Sequence, residues 1–146
     1  MLLIGLLLVV PLPGHAAEPL QAAEIKWGPV PPVLPAGAEL AVLAGDPAST
    51  GEVVLRLKMP PGYRIPPHWH PTDEHVTVIS GALAFGMGDK LDKKHSKMLT
   101  AGGYALAPAH MNHFVWTKKG AVVQVNLMGP FQITYVNPAD DPSKNQ

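Results

Sequence analysis

From residue 39 onwards, short apolar runs rich in Val, Ile, Thr and aromatic residues are separated by glycine and proline, and the second half of the run 52–59 alternates between apolar and polar residues. In the run 52–59, Leu55, Leu57 and Met59 fall on one face and Arg56 falls on the other. Alternation with a period of two residues is typical of a half-buried β-strand, and no window keeps the 3.6-residue period of a helix. The pattern predicts further strands at 39–44, 74–79, 82–87, 104–107, 114–117, 121–127 and 132–136, and one helical turn within 90–98. Many short strands predict an all-β sandwich or barrel.

The N-terminus differs from the rest of the chain. Residues 2–10 form an unbroken apolar run, which is shorter than the roughly 20 residues needed to span a bilayer. Small residues follow at Gly14 and Ala16, although no Lys or Arg precedes the run. This pattern is typical of a secretory signal peptide and predicts one over residues 1–17. We therefore expect a periplasmic or secreted protein that has no membrane segment after cleavage.

Three further regions follow the predicted signal peptide. Residues 18–38 form a proline-rich arm, 39–138 the β domain and 139–146 a flexible polar tail. Proline disfavours both helix and central strand, so the arm is expected to be extended. Two interpretations stay open: an arm held on the domain by Ile25 and Trp27, in one chain or across a dimer interface, or a linker without fixed contacts.

Composition excludes several classes of function. The 146 residues suffice for one domain, and the formal net charge of zero gives no reason to expect nucleic acid or an anionic membrane surface as a partner. Cysteine is absent, which rules out disulfides, thiolate metal ligands and a cysteine nucleophile.

The candidate chemistry lies in a cluster of histidines and one glutamate. His68 and His70 are one residue apart, so an extended chain turns both side chains to the same face. Glu74 follows a turn marked by Pro71, and His113 lies in a second segment rich in glycine and proline. Imidazole and carboxylate together suit Fe, Mn, Ni, Cu or Zn better than Ca or Mg.

The spacing of these residues resembles the two sequence motifs of the cupin superfamily. The first motif, G-x5-H-x-H-x3-E-x6-G, is matched at every fixed position by Gly62, His68, His70, Glu74 and Gly81. The second, G-x5-P-x-G-x2-H-x3-N, is matched by Gly102, Pro108 and His113. His110 stands in place of its second glycine and Thr117 in place of its asparagine. Since a Cβ atom disfavours positive φ, the turn at residue 110 is the part of the motif most affected.

The resemblance implies a fold, a cofactor and a range of functions. The fold is a double-stranded β-helix, the RmlC-like jelly-roll barrel, and the cofactor is one divalent transition metal ion held by His68, His70, Glu74 and His113. The function is small-molecule chemistry by a metal-dependent oxidoreductase, lyase or isomerase, in a protein that forms a homodimer. The alternative is a module that binds a metal or a small ligand without turnover.

Several other residues are candidates for the wall of a ligand pocket. They are Tyr104, His110, Met111 and Trp116. Trp69 and His75 each neighbour a predicted ligand, so alternation turns both side chains away from the metal. The facing of the four pocket candidates stays open, because β-bulges shift the register of a strand.

Overall fold

The computed structural model describes residues 19–144, and the predicted signal peptide lies outside them. The strands are β1 (Gly28–Pro29), β2 (Glu39–Ala44), β3 (Gly51–Met59), β4 (Arg64–Trp69), β5 (Glu74–Met87), β6 (Lys97–Thr100), β7 (Tyr104–Ala107), β8 (His113–Trp116), β9 (Ala121–Gly129) and β10 (Thr134–Tyr135). Short 3₁₀ turns lie at Ala22–Glu24, Lys93–His95, Pro138–Asp140 and Pro142–Lys144. No helix within residues 19–144 is long and apolar enough to cross a membrane.

Two curled antiparallel sheets share the long strand β5. In the first sheet the order is β1-β2-β3-β9-β5-β7, and in the second it is β6-β5-β8-β4-β10. The first part of β5, Glu74 to Gly81, pairs with β9, and its last part, Ala84 to Met87, pairs with β8. The register with β9 shifts between Val78 and Ser80, shortly before the strand passes to the second sheet after Gly81. The predicted all-β jelly roll is therefore confirmed.

The core lies between the inner faces of the two sheets. Its side chains come from alternate positions of the long strands, as the period-2 pattern predicts. They include Val53, Leu55, Leu57 and Met59 of β3, Val76 and Val78 of β5, and Val123, Val125 and Leu127 of β9. Burial of these apolar side chains is the main favourable contribution to folding.

The proline-rich arm packs on the barrel. Strand β1 adds to the edge of the first sheet beside β2, and Leu34 and Ala38 are buried in the core. The Tyr63 hydroxyl donates a hydrogen bond to the Pro35 carbonyl at 2.5 Å, and the Tyr135 hydroxyl donates one to the Val33 carbonyl at 2.7 Å. The arm is therefore held by fixed contacts with its own chain, as the first of the two interpretations has it.

Strand positions differ from the sequence prediction in several places. The predicted strands 74–79 and 82–87 are the two halves of one continuous strand, β5. The two halves belong to different sheets. The predicted strands do not include β4, whose Pro66 and Pro67 disfavour regular pairing; a register shift between Ile65 and His68 accommodates them. The predicted helical turn at 90–98 contains a 3₁₀ turn, and its end belongs to β6.

Thr117 explains why the second motif tolerates the loss of its asparagine. The side chain is 1% exposed, and its hydroxyl donates to the Ala82 carbonyl at 2.8 Å and accepts from the Gly120 amide at 3.0 Å. Both partners lie at the close approach of β5 and β9. The hydroxyl thus joins two strands of the barrel.

Replacing Thr117 by Val should destabilise the protein. The change keeps the volume and removes both hydrogen bonds from a buried position, so we expect a loss of about 1–3 kcal/mol in the free energy of unfolding. Urea denaturation measures it, with Thr117→Ser as the control that keeps the hydroxyl. A Val variant as stable as the wild type would show that these bonds contribute nothing to stability.

Candidate metal centre

The four predicted ligands converge at one end of the space between the sheets. His68 lies near the end of β4, His70 directly follows that strand, and Glu74 and His113 begin β5 and β8. His68 and His113 are direct cross-strand partners. The two sheets thus contribute to one cluster, because β5 begins in the first sheet and β4 and β8 belong to the second.

The three imidazoles are buried and close together. His68, His70 and His113 are 3%, 4% and 1% exposed, and each offers a ring nitrogen within 4.8 Å of those of the other two. One carboxylate oxygen of Glu74, Oε2, lies 3.2 Å from His113 Nε2 and 3.5 Å from His70 Nε2. The structure therefore brings all four predicted ligands together.

Backbone carbonyls orient each ring. The Nδ1 atoms of His68, His70 and His113 lie 2.7, 2.7 and 3.0 Å from the carbonyl oxygens of Pro66, Gln132 and Met111. A carbonyl only accepts, so each Nδ1 carries the proton and each neutral ring keeps a lone pair on Nε2. Metal-bound histidines are held by the same kind of contact.

The arrangement of the four side chains is more favourable with a cation bound among them than without one. His70 Nε2 is buried and has no hydrogen-bond partner. A buried polar atom without a partner costs free energy, and lone pairs that converge beside a carboxylate repel one another. A divalent ion bound by these atoms would remove both penalties.

The pKa values of the cluster residues are set by their burial and by the other members of the cluster. Burial, together with the neighbouring His113 and His70, lowers the pKa of His68 to about 3. Burial would raise the pKa of Glu74, but the adjacent His70 and His113 outweigh it and hold that pKa well below its usual range. Burial lowers the pKa of His70, whereas Glu74 raises it, and the net direction is upward. His68 is therefore a neutral donor and Glu74 an ionised one.

The cluster borders two small cavities inside the barrel, each of about 40 Å³. Both are lined by His68 and Glu74; His70 lines only the first, which we call the arm-side cavity, and His113 only the second. The remaining lining of the arm-side cavity is hydrocarbon: Leu34, Leu40, Leu55, Leu57, Ile65, Val125, Phe131 and Ile133. Of the residues that line the arm-side cavity, only the candidate ligands His68, His70 and Glu74 have polar side chains.

Two of the predicted pocket residues lie on the outside of the barrel. Tyr104 is 54% exposed, and its hydroxyl lies 2.8 Å from Nδ1 of His75, which faces away from the cluster as predicted. Trp116 lines a surface groove of about 390 Å³ together with Arg64 and Lys93. Neither Tyr104 nor Trp116 lines the two inner cavities.

The other two predicted pocket residues, His110 and Met111, contact the candidate ligands His70 and His113 through backbone groups. The Met111 side chain is half exposed, while its carbonyl accepts from His113. His110 has φ = +62° at the third position of a turn closed by the Met111 amide and the Pro108 carbonyl. The residue therefore adopts the glycine-like conformation of the motif despite its Cβ atom, at a cost of about 1–2 kcal/mol. Its amide donates to the His70 carbonyl at 2.8 Å.

The residues that shape the arm-side cavity carry no clear signal in the sequence pattern. Leu34, Phe131 and Ile133 line it, and Gln132 supplies the carbonyl that orients His70. Leu34 lies in a proline-rich segment without alternation, so no periodic signal marks it as buried. Gln132 and Ile133 begin the predicted strand 132–136, which in the structure is shorter (Thr134–Tyr135), and Phe131 precedes it, so the strand pattern did not mark any of the three as part of a cavity wall.

The fold and the three-histidine cluster together define a cupin. A family model described as the ChrR cupin-like domain matches residues 16–131, so the chain belongs to that family. Germin-like protein 3-1 from Oryza sativa subsp. japonica is 32% identical over 80 residues, which cover 54% of this chain and 36% of the relative. The chain spans about a third of the length of the curated relatives it matches.

Solved structures agree with this assignment. The polyketide cyclase RemF from Streptomyces resistomycificus aligns with a TM-score of 0.72 at 16% identity, over 87% of this chain and 90% of its own. An RmlC-like cupin from Shewanella frigidimarina aligns with a TM-score of 0.59 at 15% identity, over 75% and 87% of the two chains. At such identities the likeness shows the fold alone.

The orientation of the three imidazoles can be tested without a metal. In the metal-free protein we expect His68, His70 and His113 each to carry a proton on Nδ1, because each Nδ1 faces a backbone carbonyl that only accepts. Long-range ¹H–¹⁵N correlation spectra distinguish the two tautomers. Protonation on Nε2, the form that free imidazole side chains favour, would contradict the role given to the three carbonyls.

Proposed function

We propose that this protein is an exported metalloenzyme with a mononuclear divalent centre and that Glu74 is its fourth protein ligand. The observation that carries the proposal is that three buried, carbonyl-oriented imidazoles offer ring nitrogens within 4.8 Å of one another, with Glu74 Oε2 beside the Nε2 atoms of two of them, His70 and His113. Neighbouring donors around an ion with bonds of about 2.1 Å lie about 3.0–3.5 Å apart. The 3.2 and 3.5 Å separations of Glu74 Oε2 from His113 and His70 support a shared ion.

Such an ion would supply a positive centre that binds and polarises an oxygen atom of a substrate, or binds dioxygen. His68, His70 and His113 would hold it as neutral donors, and Glu74 would reduce its charge from +2 to +1. The carbonyls of Pro66, Gln132 and Met111 keep the rings in place, and the hydrocarbon walls exclude water from the bound molecule. These are the features of an oxidoreductase, lyase or isomerase that acts on small molecules.

A binding module without turnover is the second candidate. The small size of the inner cavities, about 40 Å³ each, favours it, because an ion and one small bound molecule would leave little room for a second reactant. Four protein ligands would also nearly saturate zinc, which is four-coordinate in structural sites. The metal that the protein carries therefore discriminates between the two functions.

Metal analysis is the first test. The protein purified without chelators or a histidine tag should contain about one equivalent of Fe, Mn, Ni, Cu or Zn, and chelation should lower its melting temperature, because an ion bound only by the folded state stabilises that state. His70→Ala/His113→Ala should lose the metal, whereas the matched control His75→Ala should keep it. Absence of metal after reconstitution with each of the five ions would overturn the proposal.

Turnover then separates the two candidates. We expect the metal-loaded protein to convert a member of a panel of small carboxylates, catechols and enols, and Glu74→Gln to lose at least about 100-fold of that rate, since weaker changes around metal sites already cost 10–100-fold. Tight binding in the panel without any product would favour the binding module.

Export and homodimerisation are further parts of the proposal. The apolar run at 2–10 with the small residues after it supports export, which N-terminal sequencing of the mature protein tests. Tyr104 and Leu106 are exposed on β7, which pairs only with β5 in the described residues, and such an apolar edge supports pairing with a second copy. A monomer in sedimentation would refute the dimer.

A further inference from the structure

The proline-rich arm contributes one side chain to the neighbourhood of the metal centre. Leu34 is 6% exposed, belongs to the barrel core and lines the arm-side cavity together with His68, His70 and Glu74. The other hydrocarbon residues of that lining follow residue 38. Leu34 is thus the part of this wall that the proline-rich arm supplies.

Two tyrosines hold Leu34 in place from either side. Tyr135 donates to the carbonyl of Val33 and Tyr63 donates to the carbonyl of Pro35, so both residues that flank Leu34 are fixed to the barrel. Burial raises the pKa of Tyr63 to about 12, and that of Tyr135 is raised as well, so both hydroxyls stay protonated and can donate at neutral pH. The position of the Leu34 side chain is therefore set by the barrel.

The lining also restricts the chemistry of a ligand. Three neutral imidazoles, one carboxylate and a divalent ion leave a net charge of +1, which favours a head group with a single negative charge. Beyond the ligands of the ion, the arm-side cavity offers only hydrocarbon. A second polar group on the bound molecule would find no hydrogen-bond partner there, and such mismatches are strongly rejected.

We propose that the metal centre takes a small monoanion with one oxygen-donor head and a short hydrocarbon tail, and that Leu34 limits the length of that tail. The inference rests on the proposed function, because the head group needs the metal. Leu34 acts as a specificity residue, and Tyr63 and Tyr135 are positioning residues that act through the arm.

Titration of the cobalt-loaded protein with simple carboxylates tests the inference. The visible bands of Co²⁺ report binding of acetate, propionate, butyrate and hexanoate, without any need for turnover. In the wild type, affinity should fall beyond the short acids. Leu34→Ala should improve hexanoate binding about 10-fold or more, which is the usual effect of room for a methylene group, and should leave acetate within about 2-fold. Succinate should bind more weakly than butyrate to both proteins.

Matched variants separate the effect of Leu34 from a general loss of packing. Leu20→Ala changes an exposed leucine of the same arm and should leave the chain-length profile as in the wild type. Tyr63→Phe keeps the ring, frees the Pro35 carbonyl and should shift the profile in the same direction as Leu34→Ala. Should the Ala variant fail to fold, Leu34→Val removes less volume and should show a smaller shift of the same sign.

The possible outcomes distinguish this inference from the proposed function. Failure of the wild-type protein to bind cobalt would refute the metal centre itself. Cobalt binding with a profile that Leu34→Ala or Leu34→Val leaves unchanged would refute the role of Leu34 and leave the metal centre intact. Succinate binding as tightly as butyrate, or no response to any of these acids, would refute the proposed ligand class.

Discussion

The contacts between three imidazole Nδ1 atoms and three backbone carbonyls are the constraint on which the rest of the site depends. They decide where each ring proton lies, and so which nitrogen faces the cluster. The carbonyl that accepts from the His68 ring belongs to Pro66, two residues before it. The carbonyl that accepts from the His113 ring belongs to Met111, also two residues before it. These two rings are oriented by the residues just before them in sequence, whereas His70 depends on Gln132, far along the chain. The orientation of His70 is therefore a property of the folded barrel.

The arrangement of the strands also brings the candidate ligands together. Because β5 passes from one sheet to the other, Glu74 begins in the first sheet while His68 and His113 oppose each other in the second. The irregular part of β4, with Pro66 and Pro67, lies directly before His68, and the Pro66 carbonyl is the one that His68 contacts. Irregular strands are common next to functional sites, where they redirect side chains. The same prolines that hid β4 from the strand pattern thus belong to the local geometry of a ligand.

Much of the fold and of the ligand cluster could be predicted from the sequence, because both depend on local patterns. Short runs of strand-favouring residues bounded by glycine and proline located β2, β3, β7 and β9 closely. The spacing of His68, His70 and Glu74, with the more distant His113, identified residues that the structure brings together. The cavity wall could not be predicted in this way. Leu34 is buried by two tyrosine contacts that cross the chain, and neither end of such a contact leaves a periodic signal. His110 is different again. A residue with a Cβ atom disfavours positive φ, yet the turn holds His110 at φ = +62°.

The segment 131–135 connects the metal cluster, the cavity and the arm. Its Gln132 carbonyl orients His70, and Phe131 and Ile133 line the cavity on either side of that residue in sequence. Two residues further on, Tyr135 lies beside the His68 ring and holds the arm at Val33. A displacement of the arm would therefore act on the segment that fixes His70, as well as on the space that Leu34 fills. Because the interior of a protein is closely packed, such a displacement cannot be confined to one of these contacts. The affinity for the metal and the selectivity for the ligand are thus expected to change together when the arm is loosened, and separately when Leu34 alone is shortened.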